Sequence, residues 1–210
     1  MRVTVRHEES GSWALVAHPE DYDGHPPVSR IMFDREARMA TPDRLALASY
    51  LFFGANASAS FETPMWHSPA LAQAMVEDAA PNWLQTRPVE LYAKSITYGH
   101  RLVSVTLEGN TAEFGDTLSQ SEFELRFARS DRSSGSRFTF GSLELSTNAW
   151  LVSQGTKPDK MFKVTLGCGV LFAADVEADT LALAGEGVSE NTERSARSLL
   201  GTVGLGLELR

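Results

Sequence analysis

Residues 42–53 constrain the fold of this chain more than any other stretch. Thr41 and Pro42 form a typical helix start, because the Thr41 hydroxyl can accept a hydrogen bond from an unpaired N–H and Pro42 has no N–H to leave unpaired. After Arg44 the segment carries almost no charge, and apolar side chains would surround a helix: Leu45, Leu47, Ala48, Tyr50, Leu51 and Phe52. A helix that is apolar on nearly every side is buried on more than one side. The segment therefore predicts a buried helix at about 42–53, which Gly54 can end in the left-handed conformation.

A second helix start at Ser68-Pro69 predicts a helix over about 69–79. Its apolar residues lie on one face and its polar residues elsewhere, so we expect this helix to lie on a surface. Residues 57–62, between the two helices, have the pattern of a short strand. We interpret the whole stretch as a helix–strand–helix insert that covers a sheet.

Strand patterns dominate the rest of the chain. Arg2–Arg6 and Trp13–Ala17 predict an N-terminal hairpin. In Glu122–Arg129, apolar side chains alternate with polar ones, which is typical of a strand in an antiparallel sheet with one face in water. At Gly141-Ser142 the alternation changes phase, which predicts a bulge or bend.

These patterns, with a third helix expected at about 190–200, predict an α+β fold. We expect a mostly antiparallel, twisted β-sheet with two or three helices, of which the helix at about 42–53 is buried. The length fits a single domain over residues 1–210. A subdivision into a mixed α/β part, 1–98, and a β-rich part, 99–210, is the alternative.

Two predicted strands share a glycine pattern. Residues 162–172 and 202–209 each have apolar side chains on one face and glycines on the other, namely Gly167, Gly169, Gly204 and Gly206. Glycine inside a strand usually marks the close approach of another group. If the two strands are neighbours, the glycines form a bare strip across the sheet. A helix packed tightly on this strip is the favoured interpretation, and a partner chain or flat ligand is the alternative.

Composition and motifs argue against several classes of function. The formal charge of −8 disfavours binding of duplex nucleic acid across a whole face. No signal peptide and no long apolar run are evident, and the single cysteine fits a reducing cytoplasm, so we expect a cytoplasmic chain with no membrane partner. We find no nucleophile elbow, P-loop, dinucleotide fingerprint or His-Glu-x-x-His motif. The sequence therefore predicts no cofactor and leans away from an enzyme.

The loop from His18 to His25 is the most metal-like cluster, with the candidate ligands His18, Asp21, Asp23 and His25. Asp21-Tyr22-Asp23-Gly24 is similar to the opening of a calcium loop. The acidic ligands that would close such a loop are missing, since Arg30 and Ile31 lie near those positions. A solvated turn is the favoured interpretation, and no metal is predicted.

Four arginines lie around a Ser/Gly-rich hairpin tip at 130–136, namely Arg126, Arg129, Arg132 and Arg137. A basic tip can bind phosphate, and the neighbouring Phe138 and Phe140 could stack on bases. Asp131 and other carboxylates dilute the charge, because a nucleic-acid surface is usually more densely basic. A solubilised hairpin with both phenylalanines in the core is therefore favoured over RNA binding.

The segment Ser198–Gly206 resembles the C-terminal glycine-rich segment of CRISPR-associated RNA-binding proteins of the ferredoxin-like superfamily. The resemblance covers under a tenth of the chain. The N-terminal half departs from that family, because it opens with a hairpin and not with a strand–helix unit. The resemblance implies RNA binding, in a CRISPR-like defence complex, as an alternative function.

The leading hypothesis is a non-catalytic assembly or adaptor subunit of a cytoplasmic bacterial complex, whose partner is another protein or a second copy. It is motivated by the missing catalytic motifs and by Pro64-Met65-Trp66-His67, a proline-flanked apolar segment of the kind that anchors interfaces. An RNA- or nucleotide-binding subunit is the first alternative. A small enzyme with a non-local site, built from His67, Asp43 and the His18–His25 loop, is the second.

Overall fold

The computed structural model describes residues 1–8, 11–80, 83–92, 99–108, 123–153 and 157–210. Within these ranges the strands join into one sheet with the order β11-β10-β6-β7-β9-β3-β2-β1-β4-β5, and β8 pairs with β9 beside this path. The strands are β1 (Arg2–His7), β2 (Trp13–His18), β3 (Arg30–Phe33), β4 (Ser60–His67), β5 (Gln85–Val89), β6 (Arg101–Leu107), β7 (Phe123–Arg129), β8 (Arg137–Phe138), β9 (Ser142–Thr147), β10 (Ala178–Leu183) and β11 (Gly206–Leu209).

The helices of the described residues are α1 (Pro42–Phe53), α2 (Pro69–Ala79), α3 (Trp150–Ser153), α4 (Pro158–Phe172) and α5 (Glu190–Thr202). The predictions of α1 and α2 are confirmed, since Thr41 and Ser68 cap them as expected and α1 is buried from Arg44 to Phe53. Gly54 differs from the prediction, because it is right-handed and continues into a 3-10 turn. A Cβ at Gly54 would lie 2.4 Å from the Tyr50 ring, so glycine is needed here for space.

The prediction of a mostly antiparallel sheet is wrong, because the sheet is mixed. The antiparallel pairs are β1–β2, β2–β3, β3–β9 and β8–β9, and the parallel pairs are β1–β4, β4–β5, β6–β7, β7–β9, β6–β10 and β10–β11. In β7, Phe127 packs toward the helices, 5.8 Å from the ring of Phe172 in α4, while Arg126 stays exposed. At β7, a parallel strand of the described residues, one side of the strand is buried and Arg126 on the other side is exposed, so a parallel strand also alternates between apolar and polar residues. The alternation indicated that one face of the strand is exposed to solvent. It gave no information on whether neighbouring strands are parallel or antiparallel.

The predicted strand over 162–172 is also wrong, because these residues belong to helix α4. These residues are buried on nearly every side of the helix. A sequence of this kind fits a strand with alternating apolar residues as well as it fits a buried helix. The overlooked signal is Pro158 at the first helical position with Asp159 in the first turn, the same start as in α1. The third predicted helix, at about 190–200, is confirmed as α5.

The glycine strip that the sequence predicted is not formed, because Gly167 and Gly169 lie buried within α4. A Cβ on Gly167 would lie 2.9 Å from the Phe52 ring of α1, and one on Gly169 would lie 3.0 Å from Val105 of β6. These glycines therefore allow α4 to pack closely on α1 and on the sheet. Gly204 has a positive φ of 68° in the turn between α5 and β11, so the last strand begins only at Gly206. Gly206 lies opposite Thr180 of β10.

Strands β3 and β9 connect the five N-terminal strands to the rest of the sheet. Their ladder contains the single register pair Phe33 and Thr147. Asn148 extends it with its side chain, since it accepts from the Met32 N–H at 2.7 Å and donates to the Arg30 carbonyl at 2.9 Å. Strands from both 1–98 and 99–210 thus belong to one sheet, and their buried side chains form one apolar cluster.

Candidate functional site

The β4–β5 pair contains a bulge that carries the candidate site. Glu62 lies opposite Arg87, and His67 lies opposite Val89. Between these two pairs β4 has four residues, 63–66, and β5 has only Pro88, so β4 carries three extra residues and the register shifts. Bulges redirect side chains and often lie next to functional surfaces.

Buried polar groups hold this bulge from beneath. The Thr63 hydroxyl lies 2.9 Å from His67 Nδ1 and donates to the Met65 carbonyl at 2.8 Å, while His67 Nε2 lies 3.2 Å from the Thr86 hydroxyl. Thr63 and His67 are both buried, and buried polar groups hold their conformation because an unmade hydrogen bond is costly. His67 was predicted as a surface residue of an interface. It lies instead below that surface and supports it.

The bulge forms one side of an apolar groove of about 660 Å³. The groove is lined by Pro42, Pro64, Met65, Trp66, Val89, Glu90, Leu91 and Tyr92. Met65, Trp66, Leu91 and Tyr92 are 46%, 59%, 87% and 79% exposed. Large apolar side chains that are exposed next to one another mark interaction sites on protein surfaces. We call this site, defined by its eight lining residues, the docking groove.

Backbone contacts fix the other sides of the docking groove. The Glu90 N–H donates to the His67 carbonyl at 2.8 Å, which holds the segment after β5 against β4. Asp43, in the first turn of α1, accepts from the Ser68 N–H at 2.8 Å, which holds α1 against the end of β4. Asp43 is therefore bonded to backbone, and the His67 ring to two threonines. These contacts differ from a His67–Asp43 contact, which the hypothesis of a non-local enzyme site would use.

The two edges of the described sheet differ. At β11, the Arg197 guanidinium donates to the Leu207 carbonyl at 2.6 Å, so a side chain of α5 covers that edge. At the opposite end, β5 follows the bulged strand and contains Pro88, which has no N–H to donate. The docking groove lies at this second edge.

The predicted hairpin tip at 130–136 is wrong, because β7 and β9 are parallel and these residues connect β7 to β8. The four arginines lie in β7, in this connection and in β8, and carboxylates neutralise most of their charge. The ion pairs are Arg126–Glu124 at 2.6 Å, Arg129–Asp131 at 2.6 Å and Arg132–Glu108 at 3.2 Å. Arg129 also stacks on Trp150, with its guanidinium carbon 3.8 Å from the ring centroid. Arg137 is exposed in β8 and lies opposite Glu144. An arginine that is held by a carboxylate must break that contact before it binds phosphate, so this geometry weakens the nucleic-acid interpretation.

Phe138 and Phe140 were expected in the core, and this expectation is wrong. Phe138 is 65% exposed, and Phe140 is fully exposed. The predicted break at Gly141-Ser142 is a tight turn, in which the Thr139 N–H donates to the Ser142 carbonyl at 2.8 Å and the Ser142 N–H donates to the Thr139 hydroxyl at 3.1 Å. The turn holds Phe140 out from the surface.

Asp23 of the His18–His25 loop binds the α-ammonium group of Met1 at 2.5 Å, and both groups are buried. The Asp23 carboxylate also accepts from the Glu20 N–H at 2.8 Å and the Ser58 N–H at 2.8 Å. Burial raises the pKa of Asp23, but the Met1 ammonium and these donors outweigh it and lower the pKa to about 2.

The other candidate metal ligands of this loop do not join Asp23. His18 Nε2 lies 3.0 Å from the Thr4 hydroxyl in the β1–β2 hairpin. Asp21 and His25 are exposed. Throughout the described ranges, no group of three or more His, Cys, Asp or Glu side chains is placed to hold a metal ion. Asp23 of this loop instead contacts Met1 and Ser58.

A buried carboxylate that the sequence did not indicate connects four helices. Asp78 of α2 accepts from the Tyr50 hydroxyl of α1 at 2.6 Å, from Lys163 of α4 at 3.0 Å and from the Ser195 hydroxyl of α5. Burial raises the pKa of Asp78, but the Lys163 ammonium and the hydroxyl donors outweigh it and hold the pKa below its usual value.

A cavity of about 270 Å³ adjoins this cluster. A carboxylate with a lowered pKa and three donors is a weak base, so Asp78 is poorly suited to take a proton from Ser195. The four residues lie far apart in the sequence and match no motif, which is why sequence reasoning missed them. Their geometry is that of a structural anchor between helices.

Comparison of the chain with protein-family models, curated proteins and solved structures finds no significant match. Within the part of the chain that the structure describes, no helix has the length and apolar character needed to span a bilayer.

Proposed function

We propose that this chain is a non-catalytic assembly or adaptor subunit that binds another protein through the docking groove. The observation that carries the proposal is the bulge of β4, in which buried Thr63 and His67 hold Met65 and Trp66 in an exposed position. A bulge forfeits ladder hydrogen bonds, and a buried polar cluster restricts the sequence. A bulge that buried polar groups hold in place is expected where it presents side chains to a partner.

The apolar content of the docking groove is sufficient for an anchor. Full burial of one exposed large apolar side chain contributes about 1.5–3 kcal/mol, so burying the exposed parts of Met65, Trp66, Leu91 and Tyr92 would contribute roughly 4–8 kcal/mol. Association itself costs roughly 4–15 kcal/mol. The groove can therefore hold a partner, while tight binding requires further contacts at its rim.

A protein partner fits the groove better than the two alternatives do. RNA binding is weakened by the ion pairs of Arg126, Arg129 and Arg132 and by the net charge of −8. The enzyme hypothesis gains no support from the contacts of these residues, because the His67 ring contacts Thr63 and Thr86 and Asp43 accepts from the Ser68 N–H. The only cysteine, Cys168, is buried and free, which fits a complex in a reducing cytoplasm.

Native mass spectrometry of the tagged chain isolated from its own host tests the proposal. The chain with Trp66→Ala is compared with the wild type and with Tyr22→Ala, which removes an aromatic residue that is 90% exposed outside the groove. We expect an assembly that survives nuclease, is lost with Trp66→Ala and is retained with Tyr22→Ala. The proposal would be contradicted if the chain is monomeric in every case, or if Trp66→Ala leaves the assembly unchanged. An assembly that collapses with nuclease would favour RNA binding instead.

A further inference from the structure

We propose that the polar face of the β1–β2 pair binds the phosphate group of a small molecule through the guanidinium groups of Arg2 and Arg6. This site is separate from the docking groove and goes beyond the proposed function. It is carried by two exposed arginines that have no carboxylate partner among the described residues, and by the ring of His18 beside them. We call Arg2, Arg6 and His18 the arginine patch.

The alternation of β1 places both arginines on the same face of the sheet. Val3 is buried in the apolar core and Val5 packs against it, so Arg2 and Arg6 point to the opposite face. Both arginines are exposed, and they lie roughly 13 Å apart along the strand. His18 of β2 lies directly opposite Arg2, on the same face. The patch therefore combines residues that only the pairing of β1 with β2 brings together.

The His18 ring lies close to both guanidinium groups. Its Nε2 atom is 3.0 Å from the hydroxyl of Thr4, which stands midway between Arg2 and Arg6 on β1. Burial lowers the pKa of His18, and the charges of Arg2 and Arg6 lower it further. The field of an exposed charge decays over roughly 8 Å in physiological salt, so both arginines lie near this ring. Because the ring is neutral at neutral pH, the two arginines supply the charge of the patch.

The carboxylates beside the patch are engaged by another cation. Glu62 lies opposite Arg2 in the parallel β1–β4 pair, and its carboxylate contacts Arg87 Nε at 3.3 Å. Glu20 contacts the same guanidinium at 3.7 Å. Among the residues that the structure describes, neither Arg2 nor Arg6 has a carboxylate within ion-pair distance. Both can therefore bind an anion without first breaking an ion pair.

A phosphate group matches the chemistry of the patch better than a carboxylate does. The guanidinium group presents its N–H donors in a fork that fits the oxygens of a phosphate. A phosphate monoester carries about 1.5 to 2 negative charges at neutral pH, which balances two guanidinium groups. A carboxylate carries a single charge and balances only one of them.

The extent of the patch favours a small molecule over a nucleic acid. On one side, Glu62 and Arg87 neutralise each other, and on the other side Arg30 of β3 is held by Glu8. Unpaired positive charge is therefore confined to a region that fits one phosphate group. A chain of phosphates would extend onto the neighbouring carboxylates, and the formal charge of −8 opposes a long polyanion.

Titration of the full chain with inorganic phosphate, followed by heteronuclear NMR, tests the proposal. Sodium chloride at about 0.15 M screens general attraction between distant charges. We expect saturable shifts that are confined to the amides of residues 2–6 and 14–18 and to the imidazole of His18. Sodium acetate at the same concentrations is the comparison and should produce no saturable shift.

Two variants and a matched control assign the binding to the patch. Arg2→Gln and Arg6→Gln each remove one guanidinium group, and thermal unfolding should be unchanged because both residues are exposed. Each variant should bind phosphate about tenfold more weakly, the effect of losing one charge-assisted contact. The control is Arg126→Gln, which removes an exposed arginine that Glu124 already holds at 2.6 Å. This control should bind phosphate as the wild type does.

The inference is overturned if phosphate produces no saturable shift, if the shifts lie elsewhere, or if acetate binds equally well. An equal loss of binding with Arg126→Gln and with Arg2→Gln would also overturn it, because general charge would then explain the attraction. A single-stranded oligonucleotide that binds more tightly than phosphate, and that depends on the same two arginines, would assign the patch to nucleic acid instead. The patch shares no residue with the docking groove, so none of these outcomes affects the test of the proposed function.

Discussion

The Thr63 hydroxyl lies 2.9 Å from Nδ1 of the buried His67, and this contact holds the bulge that exposes Met65 and Trp66. The same hydroxyl donates to the Met65 carbonyl inside the bulge. One buried threonine therefore connects the conformation of the surface to the core. The predictions below follow from this contact and from three others in the fold.

Thr63→Val keeps the shape of the side chain but removes its hydroxyl. The His67 ring and the Met65 carbonyl each lose a partner, so we expect the free energy of unfolding to fall by about 1–3 kcal/mol. Assembly through the docking groove should weaken as well, because the bulge is no longer fixed. Urea unfolding and native mass spectrometry measure the two effects. Thr4→Val, which removes a half-buried hydroxyl that contacts His18, is the control and should leave assembly unchanged. Equal effects of both variants on assembly would contradict the role of Thr63.

Gly167→Ala and Gly201→Ala should change stability in opposite directions. A Cβ at Gly167 would lie 2.9 Å from Phe52, so overpacking between α4 and α1 should destabilise the fold by about 1–3 kcal/mol. A Cβ at Gly201 of α5 would meet nothing within 4 Å, so alanine there should stabilise by up to about 1 kcal/mol through helix propensity. Chemical denaturation measures both values. A stabilising Gly167→Ala would contradict the close packing of α4.

Asp23 should make stability depend on acid pH. The folded state lowers its pKa from the ordinary 3.8 to about 2, so the ionised carboxylate stabilises the fold by roughly 2 kcal/mol above pH 4. This contribution is lost as pH falls from about 4 to about 2, because the unfolded state then binds the proton more readily than the folded state does. The difference in unfolding free energy between wild type and Asp23→Asn should therefore shrink over that interval. Asp21→Asn, an exposed change in the same loop, is the matched control. A difference for Asp23→Asn that is constant with pH would contradict the buried ammonium–carboxylate pair.

Asp78→Ala should be among the most destabilising single changes. It leaves Lys163 and the Tyr50 hydroxyl without their shared acceptor between the helices, and we expect a loss of about 2–4 kcal/mol. Ser195→Ala, which removes one donor and keeps the carboxylate, should cost about 1 kcal/mol. Thermal and urea unfolding measure both. Because the anchor is structural, assembly by the folded fraction should be unchanged, and a selective loss of assembly would contradict this role.

Local signals predicted the helices well and the sheet poorly. Thr41-Pro42 and Ser68-Pro69 locate α1 and α2, because capping depends on a few adjacent residues. Lys157-Pro158-Asp159 carries a similar helix-start signal. The apolar residues that follow it alternate with other residues, and this alternation predicted a strand where α4 lies. Strand direction depends on connections across the whole chain, and no local pattern encodes it.

The candidate site was predictable only in part, because it also depends on pairing between strands that no local pattern encodes. Exposure of Met65 and Trp66 agrees with their prediction as surface anchors, whereas burial of His67 follows from a bulge whose register depends on β5, a strand distant in sequence. Leu91 and Tyr92 join the groove only through that pairing. Phe138 and Phe140 alternate like core residues, and only the turn at Thr139–Ser142 shows that they leave the core.

Site-specific photocrosslinking at position 66 tests the central claim most directly. A photoreactive phenylalanine analogue replaces Trp66 in the full chain, and the same analogue at Tyr22 provides the control. The proposed function predicts a covalent adduct with a protein segment at position 66 and none at position 22. The absence of a protein adduct at position 66 under conditions where the chain is assembled, or equal crosslinking at both positions, would contradict the docking groove.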